Sequence, residues 1–208
     1  MKKLYGIAVV ILSAALLLGQ QAPATDDAKA EAKAAAKAKR NAQKFENKAA
    51  VITFYDRQGK TVGTAGERAL YRDTVLSPDR TRVAVIKRDF EAENADLWIL
   101  DVATGKSTRI TTSAKDEFSR WPVWSPDGSQ VAYVALRSAV EGVYRKAASG
   151  EGPEELLYKN PGSGLVLTDW SLDGRFLSFA KSDLGGGMLY VLPLTGQGER
   201  QPVEIFRS

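Results

Sequence analysis

The sequence predicts an all-β fold, an incomplete β-propeller of about three four-stranded antiparallel blades preceded by a β-hairpin. One turn phrase recurs: it reads WSPDG at residues 124–128, WSLDG at 170–174 and LSPDR at 76–80. The serines of these phrases, at positions 77, 125 and 171, lie 48 and 46 residues apart. A period in the forties built on a strand–turn–strand phrase is typical of propeller blades, and three such repeats are too few to close a ring.

Each repeat contains four short segments that we predict to be strands A to D, counted outward from the propeller axis. They are rich in β-branched and aromatic residues and are bounded by turn residues. Strand A leads into the turn phrase, strand B is the apolar run after it, and strand C is centred on Trp98, Tyr144 or Tyr190. The predicted strands B are 83–86, 131–134 and 176–179, the strands D are 108–111, 155–158 and 203–206, and the blades are about 71–119, 120–164 and 165–208.

The turn phrase has a physical reason for its composition. Serine opens the turn, proline presets φ at the second position, aspartate bonds to local backbone, and glycine accepts a left-handed conformation. Arg80 replaces the glycine in the first copy, which should cost about 1 kcal/mol if its φ is positive. Leu172 replaces the proline in the third copy. Neither replacement is expected to abolish the turn.

A partial fourth copy precedes the first blade at residues 51–64. Residues 51–55 are predicted to be a strand, 56–59 a turn and 60–64 a return strand. Gly59 precedes Gly105, the glycine of the first C–D turn, by 46 residues, so the segment corresponds to an outer C–D hairpin without strands A and B. We therefore expect uncovered blade faces and possible self-association through them.

The first 24 residues are predicted to be a secretory signal peptide. Two lysines precede an apolar stretch at residues 7–18, and small residues ending at Ala24 form a cleavage site before Thr25. The alternative is a retained membrane anchor, but twelve apolar residues are fewer than the roughly 20 needed to span a bilayer. Gln20 stands where a lipoprotein signal would carry its cysteine. The sequence thus favours a periplasmic or secreted protein without stable membrane insertion.

Residues 25–50 are predicted to be an Ala/Lys-rich tether, helical or disordered. The segment is rich in strong helix formers but lacks an apolar stripe, since Phe45 is its only large apolar side chain. A solvated helical tether is the simpler interpretation. The alternative is attraction to an anionic membrane surface, which would be weak without buried apolar anchors.

The composition argues against several kinds of chemistry. The chain contains no histidine and no cysteine, so it lacks the usual Ser-His-Asp triad, imidazole metal ligands and thiol chemistry. Its formal net charge of +4, about +2 after removal of the signal, is not a nucleic-acid signature. We therefore expect no enzyme activity, no cofactor and no nucleic-acid partner.

Alternating acids at Asp89, Glu91 and Glu93 invite comparison with a calcium-binding loop. The EF-hand pattern fails, because Asn94 stands in place of its glycine and Leu100 in place of its final glutamate. A solvated acidic loop is the better interpretation, and no metal site is predicted.

The WSPDG turn, the DLWILD strand at residues 96–101 and the Ala-Ser-Gly turn at 148–150 resemble the TolB-type WD40-like (PD40) propeller repeats. The resemblance covers residues 51–208. It implies a propeller fold, and it implies one of several roles: a periplasmic binding scaffold, the gating domain of a prolyl-oligopeptidase-like peptidase, or a sensor-like domain of a bacterial kinase. Fold alone does not choose among them.

The loops between strands B and C and between strands D and A should share one rim of the propeller. In TolB-like proteins this face and its channel receive the partner, so the resemblance implies a protein or peptide site here. Asp169 could line the central channel, or it could simply bond to backbone. The neighbouring Trp170, like Trp124, is expected to pack between sheets. The candidate partner-binding residues are Arg88, Asp89, Glu91, Asp116, Glu117, Arg120, Arg137, Glu141, Asp169 and Asp183.

The function expected from the sequence is that of an exported, non-catalytic propeller segment that binds protein or peptide. Two alternatives remain open. The chain could be the N-terminal propeller portion of a larger enzyme, such as a prolyl-oligopeptidase-like peptidase, or it could be a truncated, inactive gene product.

Overall fold

The computed structural model describes residues 26–183, 186–195 and 200–207. The predicted signal peptide and its cleavage site lie outside these residues. One helix and a series of strands follow each other along the described chain. Their bounds are α1 Asp26–Lys48, β1 Ala50–Tyr55, β2 Thr61–Ala69, β3 Tyr71–Leu76, β4 Arg82–Asp89, β5 Asn94–Asp101, β6 Ser107–Arg109, β7 Phe118–Trp124, β8 Gln130–Arg137, β9 Val140–Ala147, β10 Glu155–Lys159, β11 Leu165–Trp170, β12 Phe176–Asp183, β13 Gly186–Pro193 and β14 Val203–Arg207.

The strands form the predicted blades. Strands β3–β6, β7–β10 and β11–β14 each form a four-stranded antiparallel meander, and β1 pairs with β2 in a separate hairpin. A single parallel contact between Ala95 of β5 and Phe118 of β7 joins the first two blades into one continuous sheet. The all-β, open-propeller prediction is confirmed, whereas the link between blades one and two was not foreseen.

Two of the strand boundaries that differ from the prediction have a clear local cause. Strand β2 continues beyond residue 64 to Ala69, passing through Gly66, whose φ is 75°. A Cβ at Gly66 would collide with the ring of Tyr71, so only glycine fits this kink. Strand β6 ends at Arg109, because the backbone N–H groups of the next two residues both turn to the carbonyl of Leu97.

In the described residues, the core consists of three apolar clusters, one at each junction in the series of hairpin and blades. The first lies between the hairpin and blade one, and it includes Ala65 and Val85. The second lies between blades one and two and buries Trp124, and the third lies between blades two and three and buries Trp170. Both indoles are 6% exposed, so they pack between sheets as expected.

The A–B turns share one hydrogen-bonded design. The hydroxyls of the three serines donate to the aspartates two residues later at 2.6, 2.6 and 2.7 Å, and each serine oxygen also accepts the N–H of the first strand-B residue. The fifth turn residues, Arg80, Gly128 and Gly174, have φ values of 62°, 69° and 74°. Arg80 therefore occupies the left-handed conformation that glycine adopts in the other two copies.

The inner strands of blades one and two carry matching irregularities. Asp73 and Trp121 have φ values of 47° and 53°, and each lies at a register shift between strands A and B. The two positions are 48 residues apart, which matches the spacing of the turn phrases. These bulges break the regular alternation of side chains along the strands nearest the axis.

The predicted tether forms helix α1. Asp26 and Asp27 lie in its first turn, where negative charge opposes the positive end of the helix dipole. By contacts, the chain divides after Lys39 into a helical unit and a unit that contains the blades. Among the helices of the described residues, none combines the length and hydropathy needed to cross a membrane.

Candidate functional site

The B–C and D–A loops of blades one and two meet at one rim. The B–C connection of blade one is residues 90–93, and that of blade two is the two-residue turn Ser138-Ala139, in which both φ values are positive. The D–A loop between the blades, residues 110–117, runs beside both connections. Most of the sequence-predicted partner-binding residues lie on these segments or on the strand ends next to them.

The larger rim pocket has a volume of about 390 Å³. The Nδ2 of Asn41 donates to the carbonyl of Phe90 at 3.0 Å and helps to close one side. The B–C loop and the end of β4 also line the pocket, and there the carboxylate of Asp89 accepts the N–H groups of Glu91 and Ala92 at 2.8 and 2.9 Å. The pocket is lined by Asn41, Ala42, Leu70, Lys87, Arg88, Asp89, Phe90 and Glu91.

A second pocket of about 190 Å³ lies where blades one and two meet. The carboxylate of Glu117 accepts the N–H of Ser138 at 2.9 Å and that of Ala114 at 3.1 Å, and the first of these bonds is the main reason why the pKa of Glu117 is lowered. Glu93 pairs with Lys115 at 3.1 Å. The lining residues are Arg88, Glu93, Asn94, Ala95, Asp116, Glu117, Phe118 and Arg120.

The basic side chains of this rim lie on aromatic rings. The guanidinium of Arg88 is 4.8 Å from the centre of the Phe90 ring, and that of Arg120 is 4.5 Å from the Phe118 ring. Partial burial lowers the pKa of Arg88, and the nearby charges of Arg72 and Arg120 lower it further. The aromatic rings therefore orient the guanidinium groups of the rim.

An open groove of about 380 Å³ runs along the inner strands of the three blades. Asp169 lies in it, and its carboxylate accepts the N–H of Trp170 at 2.8 Å, the backbone bond that the sequence had suggested. Apolar side chains line the end near the A–B turns, where Leu76 is 46% exposed and Leu172 is 93% exposed. The groove thus offers both apolar surface and free backbone next to the axis.

Two of the predicted residues have mainly structural contacts. Glu141 is buried and accepts hydrogen bonds from Asn160 Nδ2 at 2.8 Å and from the N–H of Leu165 at 3.1 Å, which fixes the start of blade three. Arg137 bonds to the carbonyl of Phe118 at 3.0 Å and pairs with Glu154 at 3.2 Å. The contacts of Glu141 join blades two and three, and those of Arg137 stabilise blade two, so neither residue belongs to the proposed site.

In total, six of the ten predicted residues line the two rim pockets, which share Arg88. Asp169 lies apart from them in the inner groove. The backbone of Asp183 ends β12, but its side chain lies outside the described part of the structure. Sequence reasoning missed Arg72, which stands inside a predicted strand A and carries no motif.

Sequence reasoning also missed a buried polar network around Asp96. This carboxylate is 2% exposed, bonds to the guanidinium of Arg109, and accepts Thr111 Oγ1 and the N–H of Ser113 at 2.8 Å each. It anchors the D–A loop, whose residues Asp116 and Glu117 line the second pocket. Within residues 26–183, 186–195 and 200–207, we find no group of three or more acidic side chains placed to hold a metal ion.

No known family profile matches the sequence. Two curated relatives match part of it: the "uncharacterized peptidase YuxL" of Bacillus subtilis, 29% identical over 137 residues, and the "probable dipeptidyl-aminopeptidase B" of Penicillium rubens, 30% identical over 138 residues. These alignments cover 64% and 57% of the chain, but only 20% and 15% of the relatives. The chain therefore spans a fifth or less of the length of these proteins.

Solved structures show the same fold. TolB from Acinetobacter baumannii superposes with a TM-score of 0.57 at 21% identity, covering 73% of this chain and 36% of that one. A putative TolB from Agrobacterium tumefaciens gives a TM-score of 0.56 at 25% identity, covering 74% and 52%. The chain thus has a β-propeller fold similar to that of TolB.

Proposed function

We propose that this chain is an exported, non-catalytic β-propeller segment of the TolB-like (PD40) type that binds a protein or peptide at the rim between blades one and two. The observation that carries the proposal is the pair of pockets that share Arg88, because they collect six sequence-predicted residues from separate loops. Loops held on a rigid scaffold are the usual place for recognition. The similarity to TolB structures supports a scaffold role.

Export is proposed on the features of residues 1–24, with a lysine pair, an apolar stretch and small residues at the cleavage site. The similarity to TolB agrees with it. N-terminal sequencing of protein from the periplasmic fraction should find Thr25 as the first residue. Intact Met1 protein in the membrane pellet would contradict cleavage.

The absence of catalysis is proposed on composition, since a chain without histidine or cysteine lacks the commonest general base and the thiol nucleophile. Purified protein should not hydrolyse fluorogenic peptides or esters. Turnover that disappears on a single serine or aspartate substitution would contradict this.

The alternative function is that of the propeller portion of a larger peptidase. It is favoured by the curated relatives, whose names are those of peptidases and of which the chain matches only a part. A hydrolase-coding region directly downstream would favour this alternative, and Tol–Pal-like neighbouring genes would favour the scaffold.

The binding proposal can be tested by selecting phage-displayed peptides on the 208-residue chain. We expect peptides that bind saturably and whose binding is weakened by charge reversal at the rim, for example Arg88→Glu with Arg120→Glu. The matched control is Lys106→Glu, which changes an exposed charge at a C–D turn on the opposite rim. Failure to select any peptide that binds saturably, or an equal loss of affinity in the control variant, would contradict the proposed site.

A further inference from the structure

Three arginines converge where the rim meets the inner strands. Arg72 on β3 pairs with Ile86 of β4, and the N–H of Arg88 donates to the carbonyl of Leu70 at 3.0 Å. Arg72 and Arg88 are therefore diagonal neighbours on one face of blade one. Ile86 belongs to the apolar cluster between blades one and two, so this face points toward blade two, whose inner strand carries Arg120.

Among the described residues, these three arginines form no salt bridge. In the described part of the chain, no carboxylate oxygen lies within 4.0 Å of the guanidinium groups of Arg72, Arg88 or Arg120. By contrast, Arg137 and Arg145 pair with glutamates at 3.2 and 2.7 Å. The lowered pKa of Arg88 agrees with like charges held close together. A bound anion would relieve this repulsion.

The guanidinium groups are also oriented and available. Arg88 and Arg120 lie against Phe90 and Phe118, which restricts the planes of their side chains. Within residues 26–183, 186–195 and 200–207, no guanidinium N–H of the three arginines donates a hydrogen bond to the protein. A stacked guanidinium with free edges is suited to bidentate bonds with a carboxylate.

The size of the neighbouring pocket limits the ligand. Its volume of about 190 Å³ is smaller than the roughly 300 Å³ at which small-molecule sites begin, but it can admit one side chain. Two of its acids are already engaged, Glu93 by Lys115 and Glu117 by backbone N–H groups. With Lys115 and Arg72 counted beside the lining residues, four basic side chains stand against the three acids Glu93, Asp116 and Glu117, an excess of one positive charge.

We propose that Arg72, Arg88 and Arg120 form a carboxylate-binding subsite for an acidic side chain of a bound peptide. The proposal rests on the proposed function, the binding of a peptide at this rim, and it specifies the chemistry of the ligand. A peptide is favoured over a free anion because β3 carries both Arg72 and the wall of the inner groove as far as Leu76. An extended peptide would place its acid at the rim and apolar residues in the groove.

The test uses tetramethylrhodamine-labelled hexaglutamate and hexaglutamine as probes, with fluorescence anisotropy on the 208-residue chain. Wild-type protein should bind hexaglutamate at least tenfold more tightly than hexaglutamine. Each of Arg72→Gln, Arg88→Gln and Arg120→Gln should weaken that binding about tenfold, because each variant loses a hydrogen bond from a charged group to the carboxylate. The control Arg57→Gln removes the same charge from an exposed turn of the hairpin and should leave the affinity unchanged.

Three results would overturn the inference: equal binding of the two probes, equal loss in Arg57→Gln, or displacement of hexaglutamate by inorganic phosphate at an equal concentration of anionic groups. Circular dichroism of each variant shows whether a loss of binding reflects unfolding. The variant Arg88→Lys keeps the positive charge and should retain part of the affinity for hexaglutamate. Phage-selected peptides that lack acids and bind Arg88→Gln normally would overturn this inference while leaving the proposed function intact.

Discussion

The indole N–H of Trp124, on the inner strand of blade two, donates to the backbone carbonyl of Val75 on the inner strand of blade one at 3.0 Å. Trp170 occupies the same position in the turn phrase of blade three, yet it donates to the carbonyl of Gly174 within its own turn at 3.2 Å. Identical residues in a repeat therefore have different roles. One ties two blades together, and the other closes its own turn.

Replacing Trp124 by phenylalanine should lower the free energy of unfolding by at least about 1 kcal/mol, because the bond to Val75 is lost while most of the ring packing remains. Urea denaturation followed by circular dichroism measures the change. Tyr55→Phe is the control, since it removes a polar group from a ring that is 62% exposed. An equal effect of the two substitutions would contradict the role of the hydrogen bond.

The aspartates of the A–B turns should titrate far below the usual range. Hydrogen bonds from the turn serines, and then from backbone N–H groups, lower the pKa values of Asp79, Asp127 and Asp173 from the usual 3.8 to about 2. Because the folded values are lower than the unfolded ones, the ionised groups stabilise the fold above about pH 4, and this contribution is lost as the pH falls toward 2.

Ser125→Ala should therefore raise the pKa of Asp127 and leave those of Asp79 and Asp173 near 2. Carboxyl-detected NMR titration of the three side chains measures this, and the unaltered turns serve as internal controls. A low pKa of Asp127 in the variant would mean that backbone N–H groups alone maintain it.

Arg80→Gly should stabilise the protein by about 0.5–1 kcal/mol. Arginine at a φ of 62° is strained by about 1–2 kcal/mol, and the gain is reduced because glycine is more flexible in the unfolded chain. Thermal and urea unfolding measure the effect. The control Arg57→Gly makes the same change at a turn residue whose φ is not positive, and it should be destabilising. Destabilisation by Arg80→Gly would show that its side chain contributes more than the strain costs.

The outer strand of blade three should promote self-association. Val203, Ile205 and Phe206 of β14 are 55%, 55% and 60% exposed, which is unusual for three apolar residues in one short strand. We expect concentration-dependent association in sedimentation velocity, reduced by Ile205→Thr with Phe206→Ser. Leu172→Ser, at a residue outside β14 that is 93% exposed, is the control and should leave the association unchanged. A monomer at all concentrations would contradict the prediction.

The sequence predicted the blades well because their signals are local. The turn phrase brings its own hydrogen bonds, and the aromatic centres Trp98, Tyr144 and Tyr190 do lie in the third strand of each blade. The extension of β2 was missed because Gly66 reads as a strand breaker, while in the structure its missing Cβ makes room for Tyr71. The effect of that glycine depends on a residue in the next strand.

The candidate site was predicted only in part, because it too depends on contacts between separate segments of the chain. Loop position was enough to indicate Arg88 and Arg120, but it could not show that Glu141 is buried against the start of blade three. Arg72 carries no sequence signal, because its closeness to Arg88 depends on the register between β3 and β4. Register is set by pairing across the sheet, which no local motif records.

Each of the three apolar clusters is confined to one junction in the series of hairpin and blades. This arrangement has a consequence for how the protein unfolds. Loss of the packing around Trp170 leaves the cluster around Trp124 intact, and loss of the hairpin contacts at Ala65 leaves both intact. Stability is then distributed as in a one-dimensional array with nearest-neighbour coupling. Amides should exchange with solvent in blocks of one sheet, and the junction reinforced by the Trp124–Val75 bond, which supports the rim, should be the last to open.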